Sequence, residues 1–163
     1  MVKVNILDCT LRDGGYYNSW HFSSSTVNAY IDALSESSVT HIELGFRFIK
    51  QDKNLGKFAF TTEEHLNSID FPGNQQLGVM INGDEYLNSE DPCSLIAKYF
   101  LPAKSSKISF VRIAIDLVNA PKAKILIDCL DDLGYEVMLN LMQANQQKLD
   151  VVKATIAIIS KWK

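Results

Sequence analysis

Chemistry-bearing residues crowd one stretch near the start of this 163-residue chain. Asp8-Cys9-Thr10-Leu11-Arg12-Asp13-Gly14-Gly15-Tyr16-Tyr17-Asn18-Ser19-Trp20 follows a strand-like run and sets two carboxylates beside a guanidinium. A carboxylate there can hold a divalent cation by hard oxygen ligation. A neighbouring guanidinium can stabilise oxyanion charge through fixed donors, and unlike Lys it does not lose its proton. Together they suit a reaction that creates an enolate or alkoxide beside a metal ion. Gly14-Gly15 is expected to let the backbone bend sharply or approach a ligand closely. Asp beside Arg also makes structural ion pairs, and Gly-Gly also makes turns, so spacing alone leaves both readings open.

The elements that must position these groups alternate along the chain. Val2-Lys3-Val4-Asn5-Ile6-Leu7 has strand composition. Ser23-Ser24-Ser25 supplies helix-cap chemistry, and Val27, Tyr30, Ile31 and Leu34 follow as one apolar helix face. Further strands are expected at residues 40–45, 77–81, 108–115 and 136–142. Residues 46–60 form the longest irregular piece, and Asn82-Gly83-Asp84 reads as a turn. Thr61-Thr62-Glu63-Glu64 has capping-box spacing, Asp91-Pro92 and Asn119-Ala120-Pro121 open helices, Gly134 stops one and Asp150 begins the last. The order is (βα)₅, which argues for a parallel sheet with right-handed crossovers.

Two α/β architectures fit: an open, doubly wound flavodoxin-like sheet, or the first five units of a (β/α)₈ barrel with sequential strand order. A complete barrel takes about 250 residues, more than this chain has. In both, chemistry belongs where strands end and the next connection begins.

Composition narrows the classes of function. With 47% hydrophobic and 21% charged residues, the chain can bury a core. No linker or repeat divides it, so residues 1–163 read as one domain. A net charge of −3 gives no basic footprint for nucleic acid. No apolar run approaches the roughly 20 residues of a membrane span, and the first residues lack signal-peptide character. Cys9, Cys93 and Cys129 are odd in number and far apart, which fits reduced thiols in a cytoplasm.

The string Leu7-Asp8-Cys9-Thr10-Leu11-Arg12-Asp13-Gly14-Gly15 resembles the D-x-T-L-R-D-G signature of the DRE-TIM metallolyase superfamily. That group includes hydroxymethylglutaryl-CoA lyase, isopropylmalate and citramalate synthases and hydroxy-oxovalerate aldolase. Ile42-Glu43-Leu44-Gly45-Phe46-Arg47 is similar to an E-x-G-F-R segment of its aldolase-like members, and Val111-Arg112-Ile113-Ala114 to its fourth strand. The resemblance implies the N-terminal (βα)₅ portion of a TIM (β/α)₈ barrel. It implies Mg²⁺ or Mn²⁺ as cofactor, and carbon–carbon cleavage or formation on 2-oxo acids or related acyl substrates. Asp13 would bind the metal, and Arg12 would hold the carbonyl or enolate oxygen. Asp8 would organise the motif by hydrogen bonding. Glu43 would support catalysis, while Arg47 and Asn140 would hold substrate. Tyr16 stands where aldolases of the family place a His; Tyr16 or Tyr17 would orient a substrate oxygen, and His21 would carry a proton or pack locally.

The family completes its metal site with an H-x-H pair on a later strand. His21, His41 and His65 are the three histidines here, and no two have that spacing. The metal site is therefore expected to be incomplete, and the chain inactive on its own. Three explanations fit: a piece of a longer protein, a shortened relative, or missing groups supplied by a second chain. The alternatives are an interaction or regulatory domain on the same scaffold, or a flavodoxin-like binding domain. A partial barrel also leaves free sheet edges, so self-association is expected.

Overall fold

Strand backbones must find partners for their N–H and C=O groups, and pairing side by side provides them. A computed structural model describes residues 4–162. In it β1 (Leu7–Asp8), β2 (His41–Phe46), β3 (Gln76–Asn82), β4 (Phe110–Asp116) and β5 (Glu136–Met142) form one sheet. All four pairings are parallel and the order is β1-β2-β3-β4-β5. The sheet curls into a half-barrel. Sequential order excludes the flavodoxin-like alternative, in which the first two strands trade places.

The helices follow their local signals. They are α1 (Thr10–Asn18), α2 (Ser24–Ser35), α3 (Glu63–Asn67), α4 (Gly83–Leu87), α5 (Pro92–Tyr99), α6 (Lys124–Asp132) and α7 (Leu149–Ile159). Ser23, Thr62 and Asp91 each accept a backbone N–H of the first turn they open, as their side-chain chemistry favours. Gly134, at φ +88°, ends the turn after α6.

Four expectations are corrected. Val2 and Lys3, read as the start of the first strand, lie outside the described residues. Strand pairing is confined to Leu7–Asp8, with Val4 and Ile6 exposed. Gly14-Gly15 is not a bend but lies inside α1. A Cβ at Gly15 would fall 2.0 Å from the Trp20 indole, so the residue serves close packing. Asn82-Gly83-Asp84 is not a free turn: Asn82 caps α4 by accepting from the Asp84 N–H. Finally, Cys93 and Cys129 are bonded to each other, their Cα atoms 5.5 Å apart, because α5 packs against α6. The argument from reduced thiols then rests on Cys9, which is free.

Side chains alternate across the sheet. Ile42, Leu44, Val79, Ile81, Val111, Ile113 and Ile115 are buried under the helices. The opposite, concave face carries Glu43, Gly78, Met80, Phe110, Arg112, Met138 and Asn140, as the register aligns them. β2 breaks the alternation. Glu43 pairs with Gly78 and Phe46 with Met80, so three residues on β2 match two on β3. This bulge keeps Glu43 and Phe46 on the concave face and sends Arg47 to the helix side. β1 pairs only with β2 and β5 only with β4, leaving both outer edges free among the described residues. No helix among them is long and apolar enough to cross a membrane.

Candidate active site

Glu43 anchors the site. Its side chain is 0% exposed, and an isolated carboxylate there would be very costly. Two guanidiniums compensate it. Arg12, reaching in from the first turn of α1, donates Nε–H to Glu43 Oε1 at 2.6 Å. Arg112, from the middle of β4, brings Nε within 3.1 Å of Oε2. That second pair is close enough for charge attraction, but its N–H is not aimed at the oxygen, so it is an ion pair and not a hydrogen bond. Arg12 Nη1 also donates to Asp13 Oδ1.

These contacts hold the Arg12 fork in place and leave part of it open. Nε and Nη1 are engaged, while Nη2 makes no hydrogen bond to an oxygen among the described residues, the Cys9 thiol being the other polar group beside the guanidinium. Burial works against the charged form of Arg12. The Glu43 hydrogen bond and charge, with Asp13 behind them, outweigh it and raise the guanidinium pKa further. The backbone is locked too: the Trp20 indole N–H donates to the Arg12 carbonyl at 3.0 Å. Cys9 lies beneath, its sulfur 3.7 Å from Arg112 Nη1. Burial, then the charge of Glu43, pushes its thiol pKa up.

Tyr16 sits one turn beyond Arg12 on α1, and both flank the Phe46 ring. The Arg12 guanidinium carbon is 5.7 Å from that ring's centroid and the Tyr16 ring 6.1 Å. Arg12, Asp13, Tyr16 and Glu43 therefore come together at the carboxyl end of β1 and β2. Asn140 shares the concave face but stands three strands from β2, on β5 opposite Ala114. Asp8 turns the other way. It accepts from the Thr10 N–H and from the Tyr30 hydroxyl, tying the start of α1 to α2. Burial and this contact raise the Tyr30 pKa.

Arg47, expected to meet a substrate carboxylate, is not brought to this group. The bulge in β2 turns it outward, where it is 2% exposed. Its guanidinium donates to the carbonyls of Thr61 and Tyr99 and to Glu63, and stacks 4.5 Å above Phe100. His21 meets the Asn54 carbonyl at 3.1 Å.

The donor set does not fit a divalent cation. Among the described residues no group of three or more His, Cys, Asp or Glu could hold one. Asp13 is 61% exposed, and Arg12 already occupies one of its oxygens. Glu43 is engaged by two guanidiniums.

Arg112 is the site residue that sequence reasoning passed over except as part of a family-like string. The signal was there: an arginine in the middle of the apolar run Phe110–Ile115 demands a buried acceptor.

No family model matches the chain, and no curated protein matches it. Among solved structures it is similar to the N-terminal domain of a "putative aldolase" from Bacteroides vulgatus, with 32% identity and a TM-score of 0.77. The match covers 91% of this chain and 48% of that one, so the present chain spans about half the length of that relative. The likeness shows an aldolase-like fold.

Proposed function

We propose that these five βα units are the N-terminal part of a (β/α)₈ barrel of the DRE-TIM metallolyase kind. The barrel would make or break a carbon–carbon bond next to a carbonyl, in 2-oxo acids or related acyl compounds. The observation that carries the reading is the geometry of Arg12: a guanidinium at the strand ends, fixed by Glu43 and Asp13, with Nη2 bonded to no oxygen among the described residues. The likeness to an aldolase domain supports it.

In this reading Arg12 Nη2 donates to the substrate carbonyl. In the cleavage direction the bond between the α-carbon and a hydroxyl-bearing β-carbon breaks: the hydroxyl gives its proton to a base, that carbon leaves as a carbonyl compound, and the electron pair stays on the other fragment as an enolate, which the fixed guanidinium stabilises. Because Arg12 is already held, it does not reorganise during the step. Loss of one such donor costs roughly 10²–10³ in rate. Arg112 gives the concave face a second cation, suited to the substrate carboxylate. Tyr16 orients a substrate oxygen from the neighbouring turn, and the Asn140 amide borders the far side. The Mg²⁺ or Mn²⁺ of the resemblance would need ligands beyond Asp13, from residues outside this sequence or from a second chain.

The test is calorimetric titration with oxalate, a planar dianion shaped like pyruvate enolate. Arg12→Met is expected to weaken binding at least about tenfold. Equal affinity in the two proteins would overturn the role of Arg12.

One observation favours a further reading. β5 has a free edge among the described residues, and α7, which follows it in the chain, exposes Leu149, Ile156 and Ile158. Self-association through the sheet edges would cover them. A single monomeric species by light scattering over a range of concentrations would remove it.

A further inference from the structure

Beside Arg12 lies an aromatic cluster whose ring faces are not required by the carbonyl-binding role, which uses only the Tyr16 hydroxyl. Phe46 and Phe48 stack with centroids 4.4 Å apart. Trp20 meets each of them edge-on at 5.7 Å. Tyr16 closes the group, 5.0 Å from Trp20 and 6.1 Å from Phe46. The cluster is rigidly built. Trp20 is tied to the Arg12 carbonyl and fitted over Gly15, whose missing Cβ makes room for the indole. Trp20 and Phe46 are buried, whereas Tyr16 is 63% exposed.

Position gives that exposed ring a use. Arg12 and Tyr16 are separated by four residues on one helix, so they share a face with Cβ atoms about 5–6 Å apart. A carbonyl held by Arg12 thus has the Tyr16 ring one helical turn away, within reach of a substituent that extends along α1. The four rings hold no charged group, and a flat apolar substituent would stack there in the offset or edge-on manner that aromatic pairs favour.

We propose that Tyr16, backed by Trp20 and Phe46, is a specificity-determining residue that selects substrates with a planar apolar group beyond the reacting carbonyl, an aryl group above all. This rests on the reading of Arg12 as the carbonyl-binding residue. The hydroxyl of Tyr16 is not needed for the selection; its ring is.

Pyruvate and phenylpyruvate test this on the chain as it stands, with dissociation constants measured by calorimetry. Phenylpyruvate should bind about tenfold more tightly than pyruvate, from ring contact plus burial. Tyr16→Phe should keep that ratio, and Tyr16→Ala should bring it to within about twofold of unity. Tyr16 is exposed, so both variants should melt with the parent. A ratio near one in the parent, a ratio unchanged in Tyr16→Ala, or no phenylpyruvate binding overturns the proposal. Arg12→Met separates it from the reading beneath. If Arg12→Met weakens both ligands while Tyr16→Ala changes neither, the ring surface is wrong and the carbonyl role stands. If Arg12→Met changes neither while Tyr16→Ala weakens phenylpyruvate, the carbonyl role is wrong and the ring surface stands.

Discussion

Arg12 and Arg47 look alike in the sequence, each just after a strand and each close to an acidic residue, Asp13 and Glu43, yet the structure uses them oppositely. Arg47 spends its donors on the carbonyls of Thr61 and Tyr99 and on Glu63, sealed on the helix side of the sheet. Arg12 is held by side-chain carboxylates on the concave side, and Nη2 bonds no oxygen among the described residues. A guanidinium whose three nitrogens are all spent on the protein's own carbonyls and carboxylate is a structural staple. One fixed by a subset of its donors can do chemistry. The distinction lies in which groups satisfy it, and burial alone does not draw it.

The strongest way to break this comparison is to remove each arginine in turn. Arg47→Met strands buried carbonyls and Glu63, and should cost about 3–5 kcal/mol in urea unfolding. Arg12→Met leaves Glu43 paired with Arg112, and should cost less stability while losing oxalate binding. If Arg12→Met proves the more destabilising, the division between staple and site fails.

A finer test lies within α1. Ala is favoured over Gly inside a helix by about 1 kcal/mol. At Gly14 the nearest atom to a new Cβ is 3.6 Å away, so Gly14→Ala should be neutral or stabilising by up to that amount. At Gly15 the Cβ would strike the Trp20 ring, and overpacking of roughly 1–3 kcal/mol should outweigh the helix gain. Gly15→Ala should also shift Trp20 emission. Equal melting of the two variants would show that the indole does not depend on that space.

The smallest effect belongs to the helix side. Burial, then the charge of Lys57, holds the His65 imidazole below its usual pKa. The unfolded chain therefore takes up this proton first as pH falls through about 6.5. Stability should decline on acidification below that point, with no contribution from His65 above about pH 7.5. His65→Gln should flatten that part of the curve, as read from unfolding midpoints at several pH values. A slope unchanged by the substitution would assign it elsewhere.

Much of this was legible before any coordinates. Apolar runs marked β2 to β5, and Ser23, Thr62, Asp91 and Gly134 marked helix ends through chemistry that is local. What escaped depends on distant neighbours. Gly14-Gly15 reads as a turn until Trp20 folds back onto α1. Period-two alternation would put Arg47 beside Glu43, and one extra residue in β2 reverses it. Cys93 and Cys129 are 36 residues apart and meet only because two helices pack. Of the site, the Arg12–Asp13 string was visible at once. Arg112 waited on the register of β4 against its neighbours.

The mouth is riveted along most of its rim. Ser19 and Trp20 take left-handed turns, Gly56 N–H bonds the Ser19 carbonyl at 2.7 Å, and His21 meets Asn54. Glu85 in turn accepts from the N–H groups of Ile49 and Lys50. The connections after β1 and β2 and the start of α4 thus move as one body. Residues 143–148, after β5, have only short-range backbone bonds among the described residues. The turn that carries Arg12 thus sits in the tied part of the rim, and the connection after β5 can differ between relatives without altering how that arginine is held.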